Sequence, residues 1–384
     1  MPHTMHGAGD GATTVLVLQG GGALGAYQAG AYEALASQPL DWVAGISIGA
    51  INAALIAGNR PDRRAAHLRA FWERVSLALP VRPDPRWIAP VRGWWDDAMA
   101  LWGAAVGVPG FFAPRPALAW WPTPPGSFYD TRPLRETLLE LVDFDLLNAG
   151  PMRFSVGAVD VQSGNFTYFD NRHERIGVEH VMASGALPPG FGAVQVDGRW
   201  YWDGGLVSNT PLAYVMEHVH GHPERPVTIF QIDLFSARGS LPQTLADAAE
   251  REKDIRYSSR TRFVSDLARE RHAWHRRLKQ LARLLPEAQQ QSREVRELLK
   301  GTSDPAVTLV HVIHRRKAWE TQTKDYEFSR LSMHEHWLAG SADMTASLQL
   351  LARQGAPEPG EFRVLDHHPD ASMARRTPSE ISQP

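Results

Sequence analysis

Three short stretches of the 384-residue chain hold residue types at spacings that could do chemistry. The first is Gly45-Ile-Ser-Ile-Gly49, a G-x-S-x-G arrangement in which a serine sits on a sharp strand-to-helix turn with its hydroxyl exposed as a nucleophile. The helix that follows would point free N–H groups and the positive end of its dipole toward that oxygen. The second is Gly20-Gly-Gly-Ala-Leu-Gly25, in which Gly20, Gly22 and Gly25 also spell the dinucleotide fingerprint G-x-G-x-x-G. A dinucleotide fold wants an acidic residue about 20 positions on, at the end of the second strand. Here that strand ends in Ser47, while Asp41 stands at its start, so the loop reads instead as a row of backbone donors for an oxyanion. The third is Asp203-Gly204-Gly205, a carboxylate that ends an apolar strand and enters a turn. Alone it is a turn former; beside a serine it is a base.

Apolar spacing supplies the elements that must position these groups. Val15–Gln19 reads as a buried strand, residues 23–37 as a helix with Leu24, Tyr27, Ala31, Ala34 and Leu35 on one face, Asp41–Ser47 as a second strand and Ile48–Gly58 as a second helix. Strand, helix and strand in so short a span make a right-handed unit with parallel strands. Open α/β sheets gather ligands at the C-terminal ends of such strands, so the glycine loop and Ser47 should be neighbours. Further strands are expected over 153–161, 165–170, 200–203, 226–235 and 306–314. A helix should begin near Ser332, where Ser332 and Glu335 fit a capping box. Residues 251–300 read as helical, with 14 Lys/Arg against 7 Asp/Glu, a run taken as a solvated face able to meet anionic lipid or a partner.

With these pieces in place, the chain resembles the patatin-like phospholipase family. The likeness rests on the Gly20–Gly25 loop, the Gly45–Gly49 elbow, the Asp203-Gly204-Gly205 triplet and the block Ala183–Leu212 around that Asp. The resemblance implies an α/β fold, a three-layer sandwich on a mostly parallel central sheet, with a helical C-terminal extension. It also implies hydrolysis of lipid acyl esters by a Ser–Asp dyad without histidine. Ser47 would be the nucleophile and Asp203 the base, with the amides of Gly20, Gly21, Gly22 and Ala23, joined by that of Ile48, as oxyanion hole. Leu24 departs from the Arg or Lys that many bacterial members carry there. A carboxylate of ordinary pKa near 4 is a poor base for a hydroxyl, so the oxyanion hole would carry much of the catalysis.

The domain organisation expected is a disordered tail at 1–12, a catalytic domain over 13–240, a helical extension over 241–354 with one returning strand at 306–314, and a mobile tail at 355–384. Within the catalytic domain, 60–130 is an aromatic-rich insertion or lid. Its Trp-rich part, 87–129, is read as an acyl-binding wall or lid able to touch a membrane surface, or as the packed core of an irregular subdomain. Lys324–Met344 is similar to an extension found on some bacterial patatin-like proteins and carries no assignable chemistry.

Two rival readings stand beside the dyad. One is a Ser-His-Asp esterase using Ser47, Asp233 and His314; the other is a catalytically silent lipid-binding or regulatory protein. Metal and cofactor binding are not expected: His218–His222 lies at a helix end, and His334-Glu335-His336 reads as solvated. The absence of cysteine excludes disulfides and thiolate chemistry. A net charge of −2 over the whole chain gives no bias toward nucleic acid, and none is expected as a partner. No signal peptide or membrane span is visible, and the expected location is cytoplasmic. The oligomeric state, headgroup and acyl position are not legible.

Overall fold

A computed structural model describes residues 12–78, 89–116, 126–219, 225–302, 305–315, 317 and 319–366. Strand β1 (Thr13–Leu18) shows how the chain is layered. Its Leu16 and Leu18 join one buried cluster while Val15 and Val17 join another, as the two-residue repeat of a strand dictates when both faces are covered. A turn of 3-10 helix (Gly22–Leu24) leads into α1 (Gly25–Leu35), then β2 (Trp42–Ile46) and α2 (Ile48–Ala57). Helices α3 (Arg64–Arg74) and α4 (Ala89–Val106) precede the small ribbon of β3 (Ala113–Pro114) and β4 (Tyr129–Asp130). Next come α5 (Arg132–Leu141), α6 (Phe144–Ala149), β5 (Arg153–Asp160), β6 (Phe166–Asp170), α7 (Val178–Ser184), β7 (Val194–Val196) and β8 (Arg199–Asp203). The remainder is α8 (Leu212–Val219), β9 (Val227–Asp233), α9 (Leu245–Arg283), α10 (Glu287–Gln290), α11 (Arg293–Leu299), β10 (Val307–Ile313), α12 (Arg330–Ala352) and β11 (Phe362–Asp366).

Nine strands form one sheet in the order β11-β10-β9-β1-β2-β5-β8-β7, with β6 on the other edge of β5. From β11 to β5 all neighbours are parallel; β6 and β8 each pair antiparallel with β5, and β7 antiparallel with β8. One face is covered by α1, α2, α3, α7 and α12, the other by α8 and α9. The result is a helix-sheet-helix sandwich on a mostly parallel sheet.

The C-terminal third departs from expectation. Strands β10 and β11 extend the same sheet beyond β9, so Phe362–Asp366 is a hydrogen-bonded edge strand rather than part of a mobile tail. Helix α12 packs on α1 at a backbone-to-backbone crossing: a Cβ on Gly30 would stand 1.9 Å from Trp337 O, and one on Gly340 1.9 Å from Tyr27 O. Glycine usually weakens a helix, but here it permits close approach. Helix α12 also starts earlier than the Ser332 capping box suggested. Ser329 caps it by accepting from the Ser332 N–H at 3.2 Å, while the Ser332 hydroxyl and Glu335 hold the Arg92 guanidinium of α4. Residues 1–11 and 367–384, expected as tails, lie outside the described residues.

Candidate active site

The sheet register brings Ser47 and Asp203 together. On one edge of β5, Ile46 of β2 pairs with Gly157 and Asp203 of β8 pairs with Ala158. β2 and β8 therefore occupy successive stretches of one strand edge, and β2 ends into Ser47 where Asp203 stands. Ser47 adopts φ 56° and ψ −124°, one of two non-glycine residues with positive φ among those described. Such a conformation costs of order 1–3 kcal/mol and persists only where the surroundings hold it. They do: a Cβ on Gly45 would lie 2.2 Å from Gly49 O, so only glycines let the turn close. The Ser47 N–H donates to Ser184 Oγ at 3.1 Å, and Ser184 Oγ donates in turn to Gly157 O at 2.7 Å. The sequence reading missed Ser184, whose only signal was its place in the Ala183–Leu212 block.

Asp203 Oδ1 accepts the Gly205 N–H at 2.7 Å, and the Ser47 side chain stands near enough to act on the same carboxyl. Asp203 is 1% exposed. Burial pushes its pKa up from 3.8 to about 7, while the Ser47 side chain and the Gly205 N–H pull the other way. The expectation of an ordinary carboxyl near 4 is thereby corrected: a group balanced near neutrality is a far better proton acceptor for a hydroxyl.

The glycine loop is also sharper than expected. The Gly20 N–H donates to Asn209 O at 3.1 Å, and Asn209 Nδ2 donates back to Gly20 O at 2.9 Å. The Ala23 N–H donates to Asp325 O at 2.7 Å. Gly20 and Ala23 are thus engaged within the protein and are not open donors, contrary to the sequence reading. The N–H groups of Gly21, Gly22 and Ile48 have no acceptor among the described residues, and all three residues line the cavity that holds Ser47 and Asp203. Of the other motif glycines, Gly205 lines the same cavity, while Gly25, Gly49 and Gly204 serve packing beneath it.

That cavity measures about 370 Å³ and has apolar walls from Ile51, Phe111, Phe112, Phe191, Phe235 and Phe328. The aromatic segment therefore divides. Phe111 and Phe112 are buried against the cavity, whereas Trp94 (70%), Leu101 (66%) and Trp102 (54%) are exposed on α4. Trp87, Trp120 and Trp121 lie outside the described residues.

The structure does not assemble the rival triad. Asp233 Oδ2 lies 3.2 Å from His311 Nδ1, and His314 Nε2 lies 3.2 Å from Glu320 Oε2. No histidine among the described residues lines the cavity. His336, expected to be solvated, is buried with Nε2 3.0 Å from Glu320 Oε1. His314, Glu320 and His336 have the composition of a metal site, their ligand atoms lying within 4.8 Å of one another. Both Nδ1 atoms, however, are buried without a partner among the described residues. Metal-bound imidazoles almost always donate their second N–H, so two buried orphan donors would be costly. Rings that donate Nε2–H to Glu320 and leave Nδ1 bare fit the geometry better. His220 and His222 lie outside the described residues.

Residues 16–216, just over half the chain, match the family of patatin-like phospholipases, and residues 255–359 match a second family described as patatin phospholipase. No curated protein matches the sequence. Among solved structures, VipD from Legionella pneumophila is similar at 14% identity and a TM-score of 0.38, over 89% of this chain and 67% of that one. The chain belongs to the patatin-like phospholipase family and is, on that ground, a lipid acyl hydrolase.

Proposed function

We propose that the protein cleaves carboxylic esters of lipids with Ser47 as nucleophile and Asp203 as its only base. The observation that carries this reading is the placement of Ser47 and Asp203 in one cavity with apolar walls, where burial brings the acid near neutrality and Ser47 acts on it. Ser47 Oγ attacks the ester carbonyl while its proton passes to Asp203. The carbonyl oxygen becomes an oxyanion held by the Gly21, Gly22 and Ile48 amides, the last at the N-terminus of α2. As the intermediate collapses, Asp203 returns the proton to the departing alcohol, leaving an acyl group on Ser47. Water then gives a proton to Asp203 and attacks the acyl carbon. The second intermediate collapses with proton return to Ser47, releasing a fatty acid.

The cavity lies beside a surface suited to lipid. On α4, Arg92, Asp96, Met99 and Gly103 face inward, and Val91, Trp94, Leu101 and Trp102 lie exposed on the outer side. Ala104 of the same helix lines the cavity, and Tyr129, which also lines it, donates its hydroxyl to Ala104 O at 3.0 Å. No helix among the described residues is long and apolar enough to cross a membrane, so contact through α4 would be interfacial.

The reading is tested with a fluorophosphonate probe and a panel of phospholipids and p-nitrophenyl esters. The native protein should be labelled and active, and Ser47→Ala should lose both while unfolding at the same temperature. Undiminished hydrolysis by Ser47→Ala would sink it.

A further inference from the structure

Residues 320–329 follow the catalytic sheet elements by more than 80 positions, yet they reach the centre of the site. The Asp325 carbonyl accepts the Ala23 N–H at 2.7 Å. The same oxygen would lie 2.0 Å from a Cβ on Gly22, whose φ is +56°. The turn that presents the Gly21 and Gly22 amides is thus pressed directly on one peptide group of the C-terminal region.

That peptide group is anchored on every side. Lys253 of α9 donates to the Asp325 carboxylate at 2.8 Å and to Gln322 O at 2.8 Å. The neighbouring Lys324 ammonium is buried between Asp254 at 2.8 Å and Glu250 at 3.1 Å. Glu250, Lys253 and Asp254 fall at helical spacing on one face of α9. Upstream, Glu320 is clasped by His314 and His336; downstream, Phe328 O accepts the Leu77 N–H at 2.7 Å. Asp325, Tyr326 and Phe328 also line the cavity, as does Tyr257 of α9.

We propose that this segment is a strap that sets the oxyanion loop: the Asp325 carbonyl holds the Gly21–Ala23 turn in its donating geometry, with Lys253 and Lys324 as positioning residues. The inference rests on the Ser47–Asp203 reading and extends it to the C-terminal region. Donors aimed in advance at a developing charge lower the barrier because nothing must reorganise as the charge forms. A strap that slackens should therefore slow turnover and leave substrate binding in the apolar cavity nearly unchanged.

The test compares Lys253→Met with Lys253→Arg and the native chain, using a p-nitrophenyl ester. In Lys253→Met, kcat should fall about 10–100-fold, since a modest misplacement of catalytic groups costs about that much, with KM within about twofold. Lys253→Arg should recover most of the loss. A trifluoromethyl ketone, whose Ser47 adduct carries the oxyanion, should weaken in parallel with kcat/KM. Amide hydrogen exchange at Ala23 should quicken in Lys253→Met and not in Lys253→Arg. Unchanged kcat with a lowered melting temperature would reduce Lys253 to a structural role and overturn the proposal, as would unchanged exchange at Ala23. If the native chain itself turns over no ester, the hydrolase reading fails, and the exchange experiment still decides whether the strap holds the loop.

Discussion

Replacing Asp203 by Asn should stabilise the protein while silencing it, by an amount that depends on pH. The side chain is buried, and its carboxyl is carried from 3.8 to about 7 in the folded state. A raised folded pKa means that the native state keeps a proton the unfolded chain gives up between those two values. The favourable effect is complete below 3.8 and lost as pH rises through about 7. At about 1.36 kcal/mol for each pH unit across that window, the buried charge costs about 4 kcal/mol at pH 8. Asparagine stays neutral throughout, can accept the Gly205 N–H through Oδ1, and can donate Nδ2–H to Ser47 Oγ. Urea titrations should therefore find Asp203→Asn more stable than the native chain by about 4 kcal/mol at pH 8, about 3 at pH 6 and about 1 at pH 4.5. The native enzyme should mirror this in kcat/KM, which should rise about tenfold per pH unit and level off above an apparent pKa of about 7. A gain independent of pH, or a loss of stability at pH 8, would refute the argument that desolvation of this carboxylate sets the base.

Ser184→Ala removes the acceptor of the Ser47 N–H and the donor to Gly157 O, leaving two backbone groups without these bonds. It should cost about 1–3 kcal/mol in urea titration and lower kcat more than it raises KM; an unperturbed kcat would show that the elbow holds itself. Joint replacement of Trp94 and Trp102 by Ser should weaken sedimentation with anionic liposomes at least about tenfold and leave hydrolysis of a soluble short-chain ester unchanged. Liposome binding equal to that of the native chain would remove α4 from the lipid contact.

Gly45–Gly49 and Gly20–Gly25 announced their turns in the sequence because each is local. A G-x-S-x-G stretch between an apolar strand and a helix leaves the backbone little choice but a tight elbow, and the parallel unit β1-α1-β2 follows from apolar spacing alone. The mostly parallel sheet and the candidate pair of Ser47 and Asp203 were legible for that reason. Which loop amides stay open was not, because Gly20 and Ala23 are closed by Asn209 and Asp325, partners that only the folded chain brings within reach. The basicity of Asp203 was equally hidden: desolvation is a property of everything packed around a group, and no neighbour in sequence reports it. His336 looked solvated because its neighbours in sequence are polar, yet α12 turns it inward onto Glu320. The C-terminal region read as an appendage because its links to the site are single backbone contacts and buried ion pairs, which leave no periodic trace. Sequence determined the elements and the reactive residue types through short-range sterics and apolar repeats. Tertiary structure decided which donors are free, which acid is desolvated and what holds the loop, because those depend on distances between segments far apart along the chain.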